Sequence, residues 1–184
     1  MLSLYVEGTE YYDEKTNTFF SVEGETLYLE HSLYSLSLWE AEYEKSLLDA
    51  LEKGLTAEEL KYYIECMTIK EPINKDIYLC INQLHIEKIK QYINKPMSAT
   101  TFTEFTKKNK YGNFRKKEII TSEIIYYWML ESEIPFECDK WNLNHLISLI
   151  RVVSIKHSKN NNMPRKEAKE MNRALMAQRR AAHK

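Results

Sequence analysis

The chain reads as an α+β protein, mainly α: a small N-terminal antiparallel β-meander packed on a helical bundle, with a basic C-terminal helical arm. Three observations carry this. Over residues 1–30 apolar side chains alternate with polar ones, the two-residue period of half-buried strands. After His31 the apolar spacing lengthens to three and four, the period of amphipathic helices. Residues 151–184 then hold ten Lys and Arg against two acids, whereas the first 150 residues hold sixteen bases and twenty-five acids; a net charge of −1 therefore conceals an acidic body and a basic end. A chain of 184 residues suits one core. The expected division is a globular domain over 1–157 (1–30 the meander, 31–157 mainly helical) and a linker with a basic helix over 158–184.

Leu2, Leu4 and Val6, then Phe20 and Val22, then Leu27 and Leu29 predict three strands, separated by Gly8, by the polar run of residues 13–17, and by Gly24. Such a sheet needs a helical layer over one face. Leu36, Trp39, Tyr43 and Leu47 predict a helix that Gly54 stops. Thr56 and Glu59 have the spacing of a capping box and open a helix to about Met67, with Pro72 beyond it. A third helical stretch over 75–94, broken near Leu84, ends before Pro96. Fourteen acids against three lysines over 7–59 predict a negative exterior there.

Residues 97–118 read as a connector, its six bases over 107–117 forming a solvated basic loop. Thr121 or Ser122 then caps a helix over 123–132. Ile124, Ile125, Tyr127, Trp128, Met129 and Leu130 make that helix apolar on nearly all sides, which predicts a central position. After Pro135, Leu143, Leu146, Ile147, Ile150 and Val153 form a helical stripe that Trp141, Leu149 and Val152 widen. Asn144, Ser148 and Arg151 fall on the remaining side, and the preceding helix is the expected partner. Residues 158–164 break the chain with polar turn formers; Pro164 and Glu167 open a last helix whose apolar stripe, Ala168, Met171 and Leu175, is thin.

Composition excludes collagen, disulfide scaffolds and membrane spans. Cys66, Cys80 and Cys138 form no CxxC pair and are odd in number, as in a reducing compartment; the N-terminus shows no secretory pattern, so a cytoplasmic location is expected. Chemistry is sparsely marked. The five histidines lack zinc-site spacing, four glycines make neither a Walker loop nor a GxGxxG turn, and no GxSxG elbow occurs. Cys138, Asp139 and His145 lie close in sequence, but a lone thiol near an imidazole reads as structural. No catalytic residue, metal site or cofactor is expected, and the chain is not read as an enzyme.

Two features point to binding instead. One is the arm, where Arg165, Ala168, Met171, Leu175, Arg179 and Arg180 are the candidate partner-binding residues. Aromatic residues are absent beyond Trp141, which argues against a single-stranded nucleic acid as its partner. The other is the surplus of aromatics, thirteen Tyr, six Phe and three Trp, with pairs at Tyr11-Tyr12, Tyr62-Tyr63 and Tyr126-Tyr127.

Three segments taken together resemble a known family. The first is Glu10-Tyr11-Tyr12-Asp13-Glu14 leading to Leu29-Glu30-His31-Ser32-Leu33-Tyr34-Ser35-Leu36-Ser37-Leu38-Trp39-Glu40. The second is Ile120-Thr121-Ser122-Glu123-Ile124-Ile125-Tyr126-Tyr127-Trp128-Met129 with Ile134-Pro135-Phe136-Glu137-Cys138. The third is Trp141-Asn142-Leu143-Asn144-His145-Leu146-Ile147-Ser148-Leu149-Ile150-Arg151-Val152, ending in Asn172-Arg173-Ala174-Leu175 and Gln178-Arg179-Arg180. Their order and spacing resemble the tail assembly chaperones of tailed bacteriophages of the siphovirus type. The resemblance implies a mainly helical late protein that binds the tape measure protein in the host cytoplasm, keeps it soluble, and hands it to tail tube subunits. It implies no catalytic residues. Self-association of the acidic body with the basic arm is a further expectation; no membrane is involved. A virion structural protein of the tail or neck, or a nucleic-acid-binding phage regulator using the basic arm, is the competing reading.

Overall fold

The register of the N-terminal strands decides their topology. In a computed structural model, which describes residues 1–14, 17–100 and 119–161, strand β1 (Leu2–Val6) pairs antiparallel with β4 (Glu25–Leu29), and β2 (Glu10–Asp13) with β3 (Thr18–Ser21). The outer ladder runs from Leu2 opposite Leu29 to Val6 opposite Glu25. Continued one residue at a time, it arrives at Glu10 opposite Ser21, where the inner ladder begins. The four strands are thus one long two-stranded hairpin, interrupted at residues 7–9 and 22–24.

This corrects the expected three-stranded meander. Glu10–Asp13, assigned to none of the three expected strands and overlapping the expected polar turn only at Asp13, is a strand, and β1 has β4 as its neighbour rather than the next strand in sequence. The reason lies at the break. Leu4 and Val6 face inward before it and Tyr11 after it, while Phe20 and Val22 face inward on the return before Leu27 and Leu29. Both strands change parity together, so the register survives. A Cβ on Gly8 would stand 2.0 Å from the Val22 carbonyl oxygen, so only glycine lets the backbones approach this closely.

The helical layer begins with α1 (Leu33–Tyr43), α2 (Leu47–Lys53) and α3 (Ala57–Met67). The single helix expected over Leu36 to Leu47 is two, because Glu44 takes a left-handed φ of 52° and Ser46 caps the second start. Gly54 ends α2 at φ 101°, and Thr56 with Glu59 makes the expected capping box. Trp39 is fully buried and donates through Nε1 to the Glu59 carbonyl at 3.0 Å, fastening α1 to the start of α3. The segment after α3 covers the free edge of β4: Glu30 donates to the Met67 carbonyl at 2.8 Å and Ile69 to that of Tyr28 at 2.9 Å.

The 75–94 stretch divides into a 3-10 helix (Lys75–Cys80) and α4 (Gln83–Ile93), breaking at Asn82 close to the expected place. Asn82 and His85 form a capping box that the sequence reading missed. After the undescribed residues come α5 (Ser122–Glu131), a second 3-10 helix (Phe136–Lys140) and α6 (Leu143–Asn161). The Leu143 amide donates to the His31 carbonyl at 2.7 Å, so α6 hangs from the junction of the hairpin and α1. Asn144 Nδ2 reaches the Ile93 and Lys95 carbonyls, each at 2.8 Å, closing the end of α4.

Three helical expectations need correction. α5 is not central: Ile125 and Met129 are buried, whereas Tyr127 and Leu130 are 59% and 60% exposed. It packs on α1 and α6, and among the described residues no further helix or sheet layer covers Tyr127 and Leu130. α6 buries Leu143, Leu146 and Ile150, but Leu149, Val152 and Val153 only in part, so its apolar arc is narrower than expected. The break expected at residue 158 comes later, since α6 runs on to Asn161. The basic loop at 107–117 and the helix opening at Pro164 lie outside the described residues.

Candidate partner-binding surface

The exposed side of α5 presents an aromatic and apolar face, with Tyr127 and Leu130 both more than half exposed. Its C-terminus sets the geometry. Glu133 takes a left-handed φ of 55°, and Ile134 N–H donates to the Met129 carbonyl at 2.9 Å, turning Ile134 back into the core. Pro135 then starts the 3-10 helix, which brings Phe136 beside Tyr126 at 6.0 Å between ring centroids while leaving it half exposed. The Tyr126 hydroxyl donates to Asp139 Oδ2 at 3.2 Å. Burial raises its pKa, and contact with Ser37 of α1 opposes that. Tyr34 and Leu38, one turn apart on either side of Ser37, are themselves exposed. The face therefore joins Tyr34, Leu38, Tyr126, Tyr127, Leu130 and Phe136 across three elements. The segment that carries it is acidic in sequence, with Glu131, Glu133, Glu137 and Asp139 against Lys140 over residues 124–142, and Asp139 accepts from Tyr126 within the face.

A second exposed row lies on the outer side of the hairpin. Tyr12 and Phe19 stand opposite one another with ring centroids 5.0 Å apart, and Tyr5 and Tyr28 continue the row past the break. The inner side is anchored, for Tyr11 stacks on Phe20 and donates to the Leu79 carbonyl at 2.8 Å. The paired tyrosines in the sequence are thus split by geometry. Tyr11 faces in and Tyr12 out, because neighbours on a strand alternate; Tyr126 is half-buried and Tyr127 exposed, because neighbours on a helix diverge by about 100°. That pairing was the available signal for the face, but it does not say which member faces solvent.

The buried polar groups form a different arrangement. Glu30 Oε1 accepts from Tyr92 Oη at 2.5 Å and from Asn142 Nδ2 at 3.0 Å, and Oε2 pairs with the Met1 amino group at 2.5 Å. Burial pushes the Glu30 carboxyl up, but these donors outweigh it and hold the group below the usual carboxylate range. His31 Nδ1 lies 2.5 Å from Tyr63 Oη, both buried, and burial lowers the imidazole to about 4. These contacts join β4, α3, α4 and α6, and every buried polar side chain among the described residues has a partner. The arrangement serves as a structural clasp.

Other sequence-marked groups are placed apart from any reactive setting. Cys138 is buried, and its thiol is raised by that burial and by Glu137 and Asp139, which keeps it protonated at neutral pH. His145 instead packs edge-on against Trp141 at 5.6 Å. Cys66 is pushed up to about 11 by burial. An open groove of about 920 Å³ between α1, α2 and residues 119–123 is lined by Glu40, Glu44, Asp49, Glu59 and Glu123, but Lys45 pairs with Glu59 and Lys53 with Asp49. Among the described residues no cluster of His, Cys, Asp and Glu could hold a metal ion, and no helix is long and apolar enough to cross a membrane. The candidate residues Arg165, Ala168, Met171, Leu175, Arg179 and Arg180 lie outside the described residues.

The chain matches no protein-family model, no curated protein and no solved structure.

Proposed function

We propose that this chain is a phage tail assembly chaperone, a non-catalytic protein that binds the tape measure protein in the host cytoplasm and keeps it soluble until tail tube subunits assemble. The observation that supports the reading is the face of α5, α1 and the 3-10 helix that the other described residues leave exposed. A holdase must offer apolar and aromatic contact area to an unassembled client, and charge around that area to keep the complex soluble. Tyr127, Leu130 and Phe136 offer the first and Glu131, Glu133 and Glu137 the second.

The test is co-expression with a tape measure protein of a siphovirus-type phage. The expected result is a soluble complex that purifies together, and loss of tape measure protein from the soluble fraction when Tyr127 and Leu130 are both changed to Ser. No complex, with the tape measure protein equally insoluble in the presence and absence of this chain, overturns the proposal. Mass spectrometry of purified particles separates it from a virion structural protein, which remains in the particle. A nucleic-acid-binding regulator would instead bind DNA or RNA with an affinity that falls steeply with salt.

A further inference from the structure

We infer that the open edge of β1 is the site at which a second copy of this chain pairs, β1 against β1 and antiparallel, joining the two hairpins into one sheet. The inference does not rest on the chaperone reading, and it leaves the face of α5 free.

Backbone direction shows which edge is open. On β4 the Tyr28 carbonyl accepts from Ile69 and the Glu30 amide donates to Met67, so residues 28 and 30 turn their backbone groups away from β1. Leu27 and Leu29 then turn theirs toward Leu4 and Leu2, their partners in the ladder. By the same alternation Ser3 and Tyr5 direct N–H and C=O to the side away from β4. Among the described residues no hydrogen bond reaches these groups. One edge of the hairpin is thus covered by residues 67–69, while the other has no backbone partner among the described residues. Edge strands are commonly kept from pairing by a charge, a proline or a bulge. β1, Leu-Ser-Leu-Tyr-Val in continuous register with β4, has none of these.

Self-complementarity selects the occupant. An antiparallel copy centred on Leu4 sets Ser3 opposite the second copy's Tyr5, and Tyr5 opposite its Ser3. Each such pair exchanges both N–H···O bonds, and the strand is matched along its whole length. A single two-fold axis satisfies both chains. Ser3 and Tyr5 are exposed on the outer side, so nothing in the described chain has to move to admit the pairing side chains.

Charge agrees with this orientation. A groove of about 420 Å³ runs beside the edge, between β1 and the first turns of α4, and Glu7 and Lys88 are in its lining. Tyr11 bonds to Leu79 and Tyr92 to Glu30, so the chain from 79 to 92 passes β1 in the direction opposite to its own. Lys88 therefore lies toward the Leu2 end of the edge, and Glu7 at the Val6 end. Antiparallel pairing carries the second copy's Glu7 to the end where Lys88 stands, and the same holds in the other half. The acidic ends of the two hairpins, with Glu10 and Glu14, point away from the seam in opposite directions.

Sedimentation equilibrium of the full chain, across a series of concentrations at low salt, tests the inference. The unaltered chain is expected as monomer and dimer in equilibrium. Ser3→Lys with Tyr5→Lys sets like charges opposite one another in both pairs and is expected to weaken the dimer by about tenfold or more. Ser3→Glu with Tyr5→Lys sets opposite charges at the same places and is expected to restore it to within about threefold. Both positions are exposed, and circular dichroism checks that each variant remains folded. Ser3→Pro removes one outward N–H without touching the ladder to β4, and must weaken the dimer in the same direction. Three results overturn the inference. One is a monomer at every concentration, which would leave the edge to another partner or to another segment of the same chain. Another is a dimer undiminished in the like-charged and proline variants. The third is a charge-paired variant as weak as the like-charged one, which would place the contact in another register or on another face.

Discussion

The Glu40 carboxylate holds the start of α5 at Ser122, 82 residues away in sequence. Oε2 accepts from the Ser122 amide at 2.7 Å, and Oε1 accepts from the Leu47 amide at 3.0 Å, so one buried side chain supplies an acceptor to the first turns of two helices. Thr121 stands at the N-cap of α5 but makes no side-chain capping bond. Glu40→Gln presents an amide donor to one of two backbone donors, and the expected loss is about 1–3 kcal/mol of stability. Urea denaturation measures it; an unchanged midpoint would mean the carboxylate does not hold these helix starts.

Gly8 and Gly24 flank the break in the hairpin, and they differ in what a methyl group would meet. At Gly8 the obstacle is backbone, the Val22 carbonyl oxygen at 2.0 Å. At Gly24 the closest atom is the Tyr5 hydroxyl at 2.6 Å, the far end of an exposed side chain. Gly8→Ala is therefore expected to cost at least about 2 kcal/mol and Gly24→Ala roughly 1 kcal/mol or less. Equal losses in thermal or urea unfolding would count against the close approach at residues 7–9.

Acid should weaken the fold through His31 before it reaches the carboxylates. Burial keeps the imidazole neutral to about pH 4, opposed in part by the nearby Glu30, while the unfolded chain takes up the proton at the ordinary value of 6.5. The unfolded state thus binds more protons between these values. The His31 contribution is fully present above pH 6.5 and is lost progressively as pH falls toward 4, by about 3 kcal/mol. Glu30, whose folded value is depressed, adds a further loss once pH falls below its unfolded value of 4.5. Unfolding free energies across this range check the slope, and His31→Gln should flatten it above pH 4.5.

The two sides of α5 should respond oppositely to truncation. Met129→Ala and Ile125→Ala open space in a closed core and are expected to cost about 2–5 kcal/mol. Tyr127→Ser and Leu130→Ser should stay within about 1 kcal/mol, because both side chains are already largely in solvent. A large loss from Leu130→Ser would place that residue in the core.

Local signals were readable wherever the physics is local. The Thr56–Glu59 box, the stop at Gly54 and the buried stripe of Leu143, Leu146 and Ile150 depend on neighbours a few residues apart, and each is present. The Asn82–His85 box was open to the same reading but uses His rather than Glu or Gln at its third helical position, outside the familiar pattern. The pairing of β1 with β4 was not readable, because alternation marks which residues face inward without saying which strand lies alongside. The candidate face escaped for a related reason. A run of apolar residues on α5 is the same sequence whether neighbours cover all of it or part of it.

The sequence by itself thus determined the mixed, mainly helical class, the Thr56–Glu59 cap and the separation of an acidic body from a basic end in composition, since period, capping and charge are properties of short segments. Tertiary structure alone decided that the strands form one interrupted hairpin, that Glu40 joins two helix starts, and that Tyr127, Leu130 and Phe136 stay exposed among the described residues. Each of these depends on which distant segments meet, and burial is settled by that meeting rather than by the hydrophobicity of the segment itself.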